Sequence, residues 1–326
     1  MRRVLLALVI STIVALTTGE PAQAATKVTV GVLKFGTVSW VIDTIQRNGF
    51  DKAEGIELDV VPLASIEATA VGLQGGSVDI IATDWLWVSR ERSGGADFTF
   101  SPFSTALGAI MVPADSPIKT LADLKGKKLG VAGGPLDKSW LFIVAYTLRT
   151  ANLDLRTETQ QVFGAPPLLA EEAKQGEVDA VLNFWPYAAR LEASGFKQLI
   201  GVEDVVSELG AKGKVAMVGY VFSEAWAKQH MPAVEGFLRA AANADELLAT
   251  SNEAWDVIRP LMQAPDDATF EALRRRYREG IPERSTAENK SDAKVLYQFL
   301  RELGGEKLVG PGAELAPGTF WKGGKS

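Results

Sequence analysis

Gly176-Glu177-Val178-Asp179-Ala180-Val181-Leu182-Asn183-Phe184-Trp185 occurs twice in outline, the first time as Gly76-Ser77-Val78-Asp79-Ile80-Ile81-Ala82-Thr83-Asp84-Trp85. Glycine, valine, aspartate and tryptophan recur at a constant offset of 100 residues. Each copy has a glycine break, then an apolar β-rich run, then a tryptophan where the run should end. A helix stopping at glycine and feeding a buried parallel strand satisfies that order. A second pair supports a duplication: Val30-Gly31-Val32 leads to Ser39-Trp40, and Leu129-Gly130-Val131 leads to Ser139-Trp140. Two α/β lobes of one plan imply a cleft between them.

The chain in order agrees. Lys27–Leu33, Ile56–Pro62 and Val78–Ala82 read as strands separated by helical stretches, the βαβαβ unit of parallel sheets covered on both faces. Leu107–Val112 reads as a further strand, and Pro113-Ala114-Asp115-Ser116-Pro117 as the first crossing between lobes. Lys127–Val131 and Thr157–Phe163 restart the pattern, with Asp137 or Ser139 capping a helix to about Arg149. Val215–Val221 returns the chain to the first lobe. Helices follow over Ala233–Ala249, Ala268–Glu279 and Ser291–Leu303, and a Gly/Pro-rich tail from Glu306 wraps the surface or frays. The expected division is 25–112 for the first part of lobe one, 113–214 for lobe two and 215–326 for the remainder of lobe one.

The first residues read as an export signal: Met1-Arg2-Arg3, an apolar Val4–Leu16, then Ala22-Gln23-Ala24. Cleavage before Ala25 is expected, leaving 302 of the 326 residues in the periplasm with no membrane insertion. Removing Arg2, Arg3 and Glu20 turns 34 basic and 40 acidic side chains into 32 and 39, a net charge of −7. That acidic balance, with no basic cluster, argues against nucleic acid as a partner. The chain has no cysteine, which excludes disulfides, thiolate metal sites and cysteine nucleophiles.

Ser116-Pro117-Ile118-Lys119-Thr120-Leu121-Ala122-Asp123-Leu124-Lys125-Gly126-Lys127-Lys128-Leu129-Gly130-Val131 resembles the lobe-two entry of periplasmic substrate-binding proteins, and Gly176–Pro186 resembles their Gly-x-Val-Asp-Ala … Trp-Pro segment. The branch serves ABC importers for nitrate, sulfonates, taurine and thiamine-precursor pyrimidines, and the resemblance runs over about Lys27–Thr250. It implies a two-lobed type II binding-protein fold in the α/β class, each lobe a mostly parallel sheet flanked by helices. It also implies closure of a monomer around a solute, and docking to a permease at the inner membrane. Leu107–Val112 and Val215–Val221 are the expected hinges. The bulky Pro135-Leu136-Asp137-Lys138-Ser139-Trp140 departs from the small residues of simple sulfonate binders and argues against taurine.

In open α/β sheets ligands bind beyond the carboxyl ends of the strands. The expected site gathers Lys34, Phe35, Gly36, Thr37, Ser39 and Trp40 after the first strand, with Asp84 and Trp85 after the third. Lobe two supplies Pro135, Asp137, Lys138, Ser139 and Trp140, then Asn183 and Trp185. One tryptophan suits a core as well as a cleft, but four at matched positions favour a shared role, two from each lobe stacking on a flat ligand. Helix N-termini at Thr37–Trp40 and Lys138–Trp140 suit an anion. Lys34 and Lys138 are the nearest cations, each equally readable as a solvated surface group, and a desolvated Lys138 can add to a carbonyl. The expected cargo is a planar aromatic anion, with pyrroloquinoline quinone as the named candidate, and sulfonates, taurine or pyrimidines as rivals.

No resident cofactor and no metal are expected, since no histidine or acidic cluster has ligand spacing. An enzyme on the same fold is the alternative of another class. The chain contains no Gly-x-Ser-x-Gly elbow or phosphate-binding loop, and its one histidine, His230, falls far from the predicted cleft in chain order. Presentation of a ligand to a sensor is a third reading.

Overall fold

The computed structural model describes residues 25–323. The expected export segment 1–24 lies outside them. Among the described residues ten strands form two five-stranded sheets. The first is ordered β2-β1-β3-β10-β4, from β1 (Thr26–Leu33), β2 (Ile56–Leu63), β3 (Ile80–Asp84), β4 (Phe98–Ser104) and β10 (Val218–Ser223). The second is ordered β7-β6-β8-β5-β9, from β5 (Ala109–Val112), β6 (Lys128–Ala132), β7 (Gln160–Gly164), β8 (Ala180–Asn183) and β9 (Lys197–Gly201).

The two sheets correspond position by position. β1 pairs in parallel with β2 and β3, and β6 with β7 and β8. The fourth position in each is filled by a strand running the other way, β10 in the first sheet and β5 in the second. Each of these two strands is the first that the chain enters after crossing from the other lobe. Four strands of five share a direction, and helices pack on both faces, as a βαβ repeat requires.

The repeated motif does the same work twice. Gly76 (φ 70°) and Gly176 (φ 75°) stand in the left-handed region that turns the chain out of the preceding helix. Val78 and Val178 are buried. The Asp79 carboxylate accepts the Thr29 N–H at 2.8 Å while the Asp79 N–H donates to the Thr29 carbonyl at 2.8 Å. Asp179 brackets Lys128 in the same way, at 2.8 and 2.9 Å.

The first crossing lies earlier than expected. Leu107–Val112 was expected in lobe one, but Ala109–Val112 is hydrogen-bonded between β8 and β9 of the second sheet. The chain changes lobes at residues 105–108, and Pro113–Pro117 is a turn inside lobe two, so the 112/113 boundary shifts accordingly. All four β5 residues are buried, which only an interior strand position satisfies. At Gly108 a Cβ would stand 1.9 Å from the Asn183 carbonyl oxygen, so the crossing can press against the end of β8 only without a side chain.

Helices Met231–Thr250, Asn252–Met262 and Asp267–Glu279 close one side of lobe one, and Thr286–Gly304 packs between the lobes against helix Lys138–Ala151. That helix makes Trp85, Trp140 and Leu300 part of one apolar core spanning both halves. The tail is pinned rather than frayed. Phe100 N–H donates to the Thr319 carbonyl and Trp321 N–H to the Phe100 carbonyl, both at 2.8 Å, and Phe320 is buried.

Candidate functional site

A cavity of about 120 Å³ opens between the lobes at the carboxyl ends of β1, β3 and β8 and along the crossing 103–108. Lobe one contributes the loop Leu33–Val38, the β3 end Ala82–Asp84, and Ile66 and Thr69 from helix Ile66–Gln74. Lobe two contributes Lys138, Ser139 and the run Phe184–Tyr187. The wall is chiefly apolar and aromatic, with Phe35, Phe103, Phe184, Trp185 and Tyr187 around it.

Of the expected residues, Phe35, Gly36, Thr37, Asp84, Lys138, Ser139 and Trp185 line this cavity, and the others do not. Lys34 and Pro135 point to solvent. The Ser39 hydroxyl is turned onto the Gly36 carbonyl at 2.8 Å. Asn183 is buried, its amide donating to the Pro166 carbonyl and its side-chain oxygen accepting the Phe184 N–H, both at 2.9 Å.

The indole grip is corrected by the structure. Trp40, Trp85 and Trp140 are 4%, 0% and 2% exposed and serve the core. Trp85 lies against Phe320 with its Nε1–H on the Met217 sulfur, and Trp140 meets Phe163 edge to face. Trp40 sits among Trp255, Tyr277 and Trp185. A tryptophan opening a helix can turn its ring back onto the sheet as readily as over the strand ends. Only Trp185 takes the second course, so no pair of indoles faces across the cavity, and the argument for a flat quinone loses its support.

The helix ends also differ from expectation. The Asp137 carboxylate caps helix Lys138–Ala151 itself, accepting from Ser139 N–H at 2.9 Å and Trp140 N–H at 3.4 Å. Asp84 likewise caps helix Trp85–Ser93, accepting from Trp87 N–H at 2.7 Å. Both ends are therefore occupied by the chain's own anions. Helix Val38–Asn48 is different: Thr37 makes no side-chain cap and no acidic residue lies in its first turn. Its positive end is open on the cavity wall.

Lys138 is the sole cation among the residues lining this cavity. It is 9% exposed, with its ammonium 3.9 Å from the Asp137 carboxylate and 5.4 Å from the centre of the Phe184 ring. Burial pushes the Asp137 carboxyl above its ordinary range, Lys138 pulls it back, and the Asp84 charge raises it again.

Sequence reasoning missed the crossing residues Phe103–Gly108 and the Phe184-Pro186-Tyr187 wall. Phe103 and Ser104 end β4, a strand not anticipated at all, and Leu107 and Gly108 were taken into the strand Leu107–Val112 but belong to the crossing before β5. Phe184 and Pro186 lay inside the quoted lobe-two motif, where proline after tryptophan already marked a helix start at the strand end, and Tyr187 follows directly after it. His230 is exposed beside Trp226 and is not on the cavity wall. No group of three metal-ligating side chains occurs among the described residues.

A family model described as NMT1/THI5 like matches residues 44–254. The chain belongs to the NMT1/THI5-like family. It is 29% identical over 185 residues to a putative aliphatic sulfonates-binding protein of Escherichia coli strain K12, covering 56% of this chain and 54% of the relative. The chain thus spans about half the length of the curated relative it matches. The crystal structure of the periplasmic aliphatic sulphonate binding protein SsuA from Escherichia coli superposes with a TM-score of 0.70 at 22% identity, over 91% of this chain and 92% of that one. The alkanesulfonate-binding protein SsuA from Xanthomonas axonopodis bound to MOPS gives 0.69 at 20% identity, over 93% and 99%. The periplasmic nitrate-binding protein NrtA from Synechocystis gives 0.59 at 15%, over 78% and 70%. At these identities the structural likeness speaks for the fold. The two-lobed architecture and the family resemblance carried by Ser116–Val131 and Gly176–Pro186 are borne out.

Proposed function

We propose that this protein is the periplasmic solute-binding component of an ABC importer, closing two lobes around an organic sulfonate and presenting the closed form to a membrane permease. The observation that carries the reading is one buried cation, Lys138, sharing an apolar cavity, walled in part by aromatic rings, with the uncapped end of helix Val38–Asn48. A sulfonate offers three acceptor oxygens and one negative charge for the ammonium and the helix end, and a carbon tail for the aromatic wall. The named function of the Escherichia coli relative supports that chemistry. An importer component also agrees with the export signal expected in residues 1–24, and no helix of the described residues is long and apolar enough to cross a membrane.

The aromatic wall favours a ligand with a bulky or aryl tail over a two-carbon one. Titration calorimetry with a series from ethanesulfonate to benzenesulfonate tests this. Saturable binding that tightens along the series is expected, and failure to bind any sulfonate overturns the reading. The non-enzyme character is tested in the same samples, since ligand recovered chemically unchanged is the expected result.

A further inference from the structure

We propose that Asp137, 3.9 Å from the Lys138 ammonium, and Asp84, on the opposite wall of the cavity, make the cleft a charge filter that accepts a monoanionic headgroup and rejects a dianionic one. The inference rests on the reading of this cavity as an organosulfonate site. It starts from Lys138, which is buried to nine-tenths, lines the cavity and makes no hydrogen bond within the described residues. A buried ammonium so placed is a site waiting for an oxygen.

The charges around it are unevenly matched. The Asp137 side chain is 3% exposed, with one oxygen on the Ser139 and Trp140 N–H groups and the other 3.9 Å from the ammonium. Asp84 stands on the opposite wall, tied to Trp87 N–H, near enough for its charge to disfavour ionisation of Asp137. Glu67, on helix Ile66–Gln74, is a third acid near Gly134 of lobe two, exposed and outside the cavity lining. Against these stand Lys138 and the partial positive charge of the Val38–Asn48 end, while Lys34 on the neighbouring loop is exposed.

One negative charge on the ligand is met by the ammonium and the helix end. A second meets only carboxylates. Like charges brought together in a desolvated site cost several kcal/mol, which predicts at least about tenfold discrimination. Shape does not separate the two classes, because a sulfonate and a phosphonate headgroup are both tetrahedral with three oxygens.

The test is calorimetric, with ethanesulfonate and ethylphosphonate measured on the wild-type protein above and below the second pKa of the phosphonate. Ethanesulfonate is a monoanion throughout. The phosphonate dianion is expected to bind at least about tenfold more weakly, with the gap narrowing once it becomes a monoanion. Asp137→Asn and Asp84→Asn keep a helix-capping oxygen and are each expected to narrow the dianion gap at fixed pH by about fivefold or more. Equal binding of the dianion, or a gap unmoved by both variants, overturns the filter while leaving the sulfonate reading in place. Absence of binding by both ligands under both conditions overturns the filter, and the sulfonate reading falls with it only if no member of the series up to benzenesulfonate binds. The wild-type comparison stands even if a variant fails to fold.

Discussion

The indoles of Trp40 and Trp185 meet edge to face with centroids 6.0 Å apart, one from each lobe. Tyr277 touches both, and helix Trp185–Ala193 packs along helix Asp267–Glu279. On the same seam Arg190 donates to the Met262 and Gln263 carbonyls at 2.5 and 3.1 Å, and Glu192 pairs with Arg275 at 3.4 Å. Trp185 therefore joins the cavity wall to the contact that holds the lobes together. Trp185→Ala is expected to weaken sulfonate binding by about tenfold or more, as truncation of a central aromatic does, and to enlarge the ligand-bound molecule in small-angle scattering. Trp140→Ala, with no place on the cavity wall, is expected to cost about 3–5 kcal/mol of stability in a urea melt.

Lys138 and Asp137 have to be changed together to separate binding from folding. Lys138→Met leaves a buried carboxylate without its cation, so both affinity and stability are expected to fall. Adding Asp137→Asn removes the stranded charge and keeps a helix-capping oxygen, which is expected to recover most of the stability. Binding should stay about tenfold to a hundredfold below wild type, the worth of a hydrogen bond to a charged group, ~1.5–3 kcal/mol. Thermal melts with calorimetry on the single and double variants give the answer. Recovery of sulfonate binding by the double variant would remove Lys138 from the site.

The duplication was readable because its parts are local. A glycine at positive φ, a buried valine and an aspartate immediately before a strand each act within a few residues of their neighbours. The edge strands β4 and β9 were not readable. β4 carries Pro102, tolerated where one side of a strand needs no ladder partner, and β9 starts with the polar Lys197-Gln198. The tryptophans show where local reasoning ends. Trp85 and Trp185 open equivalent helices, yet Trp85 is covered by Met217 and Phe320, which arrive from 132 and 235 residues further along. No such covering segment buries Trp185, which faces the cavity instead.

The paired aspartates of the repeat allow a controlled comparison. Asp79→Ala removes the acceptor of the partly buried Thr29 N–H and is expected to cost ~1.5–3 kcal/mol. Asp179→Ala does the same to Lys128 N–H, which is open to water, and should cost clearly less. The Asn variants keep an acceptor oxygen and should lie between each alanine variant and wild type. Urea midpoints of the four variants and the wild type decide it. Equal losses at the two positions would mean that solvent exposure does not set the difference.

A last prediction concerns a carboxyl that the binding site does not use. Asp245, on helix Met231–Thr250, accepts the Tyr277 hydroxyl at 2.5 Å, and burial raises its pKa from 3.8 to about 7, the hydrogen bond opposing. Beneath the same patch the Tyr220 hydroxyl is buried without a partner. A carboxyl that holds its proton more tightly when folded stabilises the native state fully below its unfolded pKa, and that contribution is lost as pH rises through the folded value. The window therefore runs from about pH 4 to about pH 7, with a slope of at most about 1.4 kcal/mol per pH unit from this one group. Asp245→Asn replaces the protonated acid by a neutral isostere and is expected to flatten that decline without altering sulfonate affinity, since Asp245 is absent from the cavity wall. Urea melts of wild type and variant across the window measure the difference directly. Parallel stability curves would show that Asp245 stays ionised in the fold, so that the Tyr277 hydroxyl outweighs the burial.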